Sequence, residues 1–88
     1  MNPARPVRMY ATLFCPYCLR ARMLLKRKGV AYEEINVGGD ATLWAEMERL
    51  SQRDTVPQIF IGDLSIGGYD DMAALDRAGK LDALLFES

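Results

Sequence analysis

Strand-like and helical segments alternate along the chain in a pattern that predicts an α/β fold: a four-stranded mixed sheet with helices on both faces, ordered β-α-β-α-β-β-α. Three observations predict it. Two alternating segments, Val7 to Ala11 and Val30 to Val37, flank a helical stretch from Pro16 to Lys28, and a strand–helix–strand unit implies a right-handed parallel crossover. Two later segments, Pro57 to Ile61 and Leu64 to Ile66, are separated only by Gly62-Asp63, a hairpin signal that adds antiparallel strands. With 88 residues, half of them apolar, residues 1–88 suit one compact domain with a modest core.

Asn2-Pro3-Ala4-Arg5-Pro6 is polar and broken by proline, so residues 1–6 are expected to form a short irregular arm. Val7-Arg8-Met9-Tyr10-Ala11 alternates and is rich in strand formers. From Pro16 the apolar spacing is helical: Cys18, Ala21, Leu24 and Leu25 share a face, and Gly29 is the stop. The cations of this segment, Arg20, Arg22, Lys26, Arg27 and Lys28, read as a solvated face whose later members complement the helix dipole. Gly38-Gly39 ends the second strand, and Asp40 can cap a helix running through Leu50. In that helix Leu43, Met47 and Leu50 are expected to face inward, with Trp44 at the edge of the same face. Gly67-Gly68 leads into a helix with Asp70 and Asp71 in its first turn and Met72 and Leu75 inward. Leu81 to Phe86 supplies a final turn or short helix that can cover the sheet.

Composition narrows the function. Eleven Lys and Arg against 12 Asp and Glu leave a formal charge of −1, so no overall field argues for nucleic acid or an anionic membrane. No apolar run approaches the ~18 residues of a membrane span, and the first residues lack a signal peptide's hydrophobic segment; the expected compartment is the cytoplasm. There are two cysteines and no histidine, whereas a closed zinc site takes about four ligands, so no metal is expected.

Those two cysteines lie in Phe14-Cys15-Pro16-Tyr17-Cys18-Leu19, at the junction of the first strand and first helix. Thiols at this spacing can be a redox pair, half of a metal site, a structural disulfide, or two unrelated small hydrophobes. Reducing compartments seldom keep structural disulfides, which favours the redox pair. Proline favours the first position of a helix. With Pro16 there, Cys15 becomes the N-cap, its sulfur facing the N–H groups of Tyr17 and Cys18. A helix N-terminus stabilises a negative charge by about 0.3–1 kcal/mol, up to about 2, and hydrogen bonds to a charged group add about 1.5–3. Together these can bring a thiol from about 8.5 into the roughly 3.5–7.5 range of activated cysteines. Cys15 is therefore the expected nucleophile, and Cys18, one turn further in, the resolving thiol.

The chain closely resembles the glutaredoxins, specifically the small bacterial dithiol type with a thioredoxin fold. The resemblance rests on Cys15-Pro16-Tyr17-Cys18, on Thr55-Val56-Pro57-Gln58 ahead of Ile59-Phe60-Ile61-Gly62, and on Gly67-Gly68-Tyr69-Asp70-Asp71. It implies a glutathione-dependent thiol–disulfide oxidoreductase acting on protein disulfides and glutathione mixed disulfides, with glutathione as reductant. It implies a cis proline at Pro57, which lets Val56 offer its backbone to a thiol peptide as a short strand would. The resemblance places the γ-glutamyl end of glutathione at Gly68 to Asp71, where Asp70 or Asp71 meets the ammonium, and the cysteinyl part against Val56, with Thr55 and Pro57 also among the expected glutathione-binding residues. The glycine end falls near Tyr17 and a basic side chain.

Two departures from the family pattern matter. Many glutaredoxins carry lysine three residues before the first cysteine, where this chain has Thr12, so Arg53 is the remaining candidate for the glycine carboxylate. Tyr69 is bulkier than the small residue often found at its position. Disulfide-bonded or glutathionylated proteins are the expected partners of a monomer. The alternatives are a dimeric, glutathione-assisted iron–sulfur cluster carrier, against which Pro16 argues, and a hydrogen donor to ribonucleotide reductase.

Overall fold

The computed structural model describes residues 2–87; Met1, at the head of the expected arm, and Ser88 lie outside the described residues. The elements are β1 Val7–Ala11, α1 Pro16–Arg27, β2 Glu33–Asn36, α2 Ala41–Ser51, β3 Gln58–Ile61, β4 Leu64–Gly67, α3 Tyr69–Arg77 and α4 Leu81–Phe86. They form one mixed sheet in the order β2-β1-β3-β4. β1 runs parallel to β2 and antiparallel to β3, and β3 and β4 make the expected hairpin. The thiol turn therefore leaves the carboxyl end of a central strand, where α/β sheets place their sites.

Alternation along the two central strands gives the sheet two apolar faces. Val7, Met9, Ala11, Ile59 and Ile61 pack on one side against Cys18, Ala21, Leu24 and Leu25 of α1, Met72 of α3 and Leu81 and Leu85 of α4. On the other side Tyr10 and Phe60, edge to face with centroids 5.6 Å apart, pack against Met47 of α2. Leu43 and Trp44 close the rim of this smaller cluster. Tyr10 reaches past it, and its hydroxyl donates to Glu46 Oε2 at 2.7 Å.

Some boundaries differ from the sequence expectation. The second strand is only Glu33–Asn36, not Val30 to Val37, because this edge strand can pair only where β1 faces it, from Arg8 opposite Glu33 to Ala11 opposite Asn36. Val30 is buried but unpaired in the sheet, its apolar side chain packing beside α1. β3 begins one residue after Pro57, at Gln58, and the first helix ends at Arg27 with Lys28 as its C-cap. Leu50 does not face inward: it is 39% exposed, in the last turn of α2, just before Gln52 takes a left-handed φ of 61° and redirects the chain. Met47 alone of that helix is fully buried.

Asn2 to Pro6 is irregular, as expected, but it is tied down. The Ala4 N–H donates to the Leu85 carbonyl at 2.8 Å, and the Gly62 N–H to the Pro6 carbonyl at 2.8 Å. Lys28 joins the end of α1 to α3 and α4 through Asp76 at 2.6 Å and Asp82 at 2.9 Å. No helix among the described residues is long and apolar enough to cross a membrane.

The two faces of α2 give a stability test. Met47→Ala is expected to cost about 2–5 kcal/mol in urea unfolding and Leu50→Ala less than about 1. Equal losses would contradict this placement of the helix.

Candidate active site

Cys15 has extended backbone angles, φ −96° and ψ 122°, and caps α1 with Pro16 in the first turn. The Cys18 N–H donates to Cys15 Sγ at 3.4 Å. Both cysteines are free thiols; Cys18 is fully buried beneath Cys15, which is partly open. Partial burial pushes the Cys15 thiol up, but the N–H and thiol of Cys18, the N–H of Tyr17 and the charge of Arg22 outweigh it, so Cys15 sits below its ordinary value. Burial, reinforced by the neighbouring Cys15, pushes Cys18 up to about 11. The pair is thus divided electrically: the Cys15 thiol is held below its ordinary value and the Cys18 thiol above it.

Beside the pair, the Val56–Pro57 peptide bond is cis, and the Val56 carbonyl lies 3.9 Å from Cys15 Sγ. Gln58, buried below, holds the approach to this bend by donating Nε2 to the Thr55 carbonyl at 2.9 Å and to Thr55 Oγ1 at 3.2 Å. A cleft of about 300 Å³ is lined by Tyr17, Arg53, Thr55, Val56, Pro57, Gly68, Tyr69, Asp70 and Asp71. Every binding residue named from the sequence is on this surface. They arrive from four places: the start of α1, the loop after α2, the cis turn and the start of α3.

Within the cleft Arg53 Nη1 meets Asp71 Oδ2 at 2.8 Å, and the same oxygen accepts the Gly68 N–H at 3.0 Å. The Arg53 guanidinium and that N–H hold the Asp71 carboxyl below its usual range. Gly67, with φ +106°, gives this arrangement room: a Cβ there would stand 2.5 Å from Asp71 Oδ2 and 3.0 Å from Arg53 Nη1. Tyr17 projects at the rim, with the Arg20 guanidinium 5.4 Å from its ring centroid. Asp70 is exposed and Tyr69 half-buried.

Gln58 and Gly67, quoted from the sequence as members of two motifs but not among the named site residues, support the cleft from within, as above. Arg22, grouped there with the solvated cations, instead chelates Glu34 through two hydrogen bonds of 2.8 and 2.7 Å and donates to the Thr12 carbonyl at 2.9 Å. Its place one turn after Cys18, on the same helix, was the available signal. A separate hollow of about 350 Å³, lined by Thr12, Leu13, Phe14, Cys15, Asn36 and Gly38, includes the nucleophile itself.

The family model for glutaredoxin matches residues 7–66, from the first strand through the hairpin. The chain belongs to the glutaredoxin family. Among its curated relatives is a glutaredoxin of Pseudomonas aeruginosa, 56% identical over 80 residues, covering 91% of this chain and 95% of that one. Glutaredoxin 3 of Escherichia coli is 51% identical over 79 residues, covering 90% and 95%. Glutaredoxin structures also superpose on the fold: a solution structure from Brucella melitensis at TM-score 0.82 and 49% identity, covering 92% of this chain and 88% of that one. A buckwheat glutaredoxin–glutathione complex gives TM-score 0.84 at 29% identity, covering 94% and 78%. The fold is the thioredoxin fold, and a glutaredoxin with two neighbouring cysteines is a thiol oxidoreductase.

The electrical division of the pair predicts a pH profile. Iodoacetamide, at short times, should modify Cys15 and leave Cys18 intact by peptide mass spectrometry. Because the thiolate reacts, the rate should rise as pH passes through the lowered Cys15 pKa and level off above it. A midpoint at or above the ordinary value of about 8.5 would contradict the N-cap account.

Proposed function

We propose that this chain is a glutathione-dependent thiol–disulfide oxidoreductase that reduces glutathione mixed disulfides and protein disulfides through Cys15 and Cys18. The observation that carries this reading is the juxtaposition of a thiolate-favouring Cys15 with the Val56 carbonyl, at the edge of a cleft offering a cation, carboxylates and a helix N-terminus. Glutathione has the matching layout: carboxylate and ammonium at the γ-glutamyl end, a central thiol, and a carboxylate at the glycine end.

In the mixed-disulfide reaction, the Cys15 thiolate attacks the glutathione sulfur, the substrate's S–S bond breaks, and the protein thiolate leaves and takes up a proton. Cys15 is left joined to glutathione. A second glutathione thiolate attacks the bound glutathione sulfur, forming glutathione disulfide and returning the Cys15 thiolate. With a protein disulfide, Cys15 instead forms a mixed disulfide with one substrate sulfur, and Cys18 loses its proton and attacks Cys15 Sγ. The substrate leaves as a dithiol and the Cys15–Cys18 disulfide is reduced by two glutathiones. A low Cys15 pKa raises the thiolate fraction and makes this sulfur a good leaving group on return.

Arg53 and Asp71 pair with each other across the cleft at 2.8 Å. Glutathione brings its own carboxylates and ammonium, so binding exchanges that ion pair for contacts to the ligand, with little net change in charge pairing. Tyr17 flanks the peptide, and Thr55-Val56-Pro57 presents its backbone. The buckwheat relative, solved as a glutathione complex with the same fold, supports this choice of ligand.

The decisive experiment is a mass spectrum of Cys18→Ser after incubation with glutathione disulfide. One glutathione adduct on Cys15 is expected, and none on the Cys15→Ser protein; equal loss of exchange activity in both variants would overturn the division of roles. Separately, Arg53→Met should raise the KM for glutathione by up to about fivefold with kcat unchanged, since an exposed charge contact contributes about 1 kcal/mol or less.

A further inference from the structure

Arg22 lies outside the cleft and touches neither cysteine by hydrogen bond, yet it is the most constrained cation of α1. Its side chain is 21% exposed, Nε and Nη2 grip both oxygens of Glu34 on β2, and Nη2 also holds the Thr12 carbonyl. Planar two-point pairing of this kind fixes a guanidinium in place in a way a lone surface lysine is not fixed. Thr12 begins the turn that delivers Cys15, and its own N–H reaches Cys18. One guanidinium therefore ties together the helix, the edge strand and the turn between β1 and the thiol pair.

We infer that Arg22 is a positioning residue for the thiol pair, a cation clamped by Glu34 against the Thr12 carbonyl at the start of the turn to Cys15, and that Glu34 sets how much of its charge the sulfur feels. The inference rests on the reading of Cys15 as nucleophile. Arg22 is the one side-chain cation whose charge bears on both thiols among the described contributions, lowering each. The other charged or titratable groups around the pair are few. On α1 there are Tyr17 and Cys18, and on the β2 side Tyr32 and Glu34. Across the cleft Arg53 and Asp71 compensate each other.

The two partners then have opposite effects. Removing the Arg22 charge takes support from the thiolate; removing the Glu34 charge while Arg22 remains gives the sulfur a less compensated cation. A unit charge about 10 Å away, at an effective dielectric of about 40, moves a pKa by about half a unit. A purely mechanical clamp behaves differently, because breaking it from either side loosens the same turn.

The test is the pH dependence of iodoacetamide alkylation of Cys15 in the intact protein, which needs no glutathione, with circular dichroism confirming the fold of each variant. Arg22→Met, which keeps an apolar stem, should raise the midpoint by about half a unit; Arg22→Lys should restore most of it; Glu34→Gln should lower it by a similar amount. No shift in Arg22→Met, or shifts of the same sign in Arg22→Met and Glu34→Gln, would overturn the inference. Failure of the proposed function would look different: the unaltered protein would show an ordinary thiol midpoint or form no glutathione adduct.

Discussion

The site depends on the hydrogen bonding of a sulfur by the first turn of α1, where the Cys18 N–H donates to Cys15 Sγ and the Tyr17 N–H adds to it. A helix must leave its first N–H groups without partners in its own ladder, and here a thiol is seated at that end. Pro16 makes the arrangement economical: it needs no partner of its own and starts the helix at the residue after the sulfur. The rest of the fold holds that helix end in place. β1 is buried between neighbours on both edges and carries the turn, while Ala21, Leu24 and Leu25 press α1 onto the sheet, so the thiol cannot drift without disturbing the larger core.

Local chemistry made much of this legible. Helix starts and the hairpin turn follow from short-range preferences at Pro16, Asp40 and Gly62-Asp63, and each is found where those preferences put it. The cleft residues other than Arg53 were legible for a different reason: three separated motifs matched one family, and the fold brings Tyr17, Thr55 to Pro57 and Gly68 to Asp71 to one surface. What escaped was decided at longer range. How far β2 extends depends on where β1 can meet it, and Leu50 is exposed because the chain turns away behind it, neither of which periodicity encodes. Arg22 looked like any other cation of a basic helix until Glu34, twelve residues later, came to lie beside it.

Charge around the site is handled in small closed sets. Arg53 with Asp71, and Arg22 with Glu34, are both compensated pairs, yet their settings differ. The Arg53 pair is about half exposed, which makes it weak and exchangeable; the Arg22 pair is mostly covered and anchored to the backbone. The first suits a contact that a ligand replaces, and the second a fixed background.

Burial of Cys18 has a consequence for timing. Two of the influences that keep its proton on come from Cys15: the hydrogen bond between the two side chains and the repulsion of a neighbouring thiolate. Both would vanish in the proposed mixed-disulfide step, where Cys15 carries no charge. The buried sulfur then becomes easier to ionise, with its target already bonded one helical turn away. In the proposed reaction the pair would work as an interlock, in which the second thiol stays disarmed while the first is free and is released by the first one's capture. No lid or moving domain is needed, only two sulfurs that share a helix end.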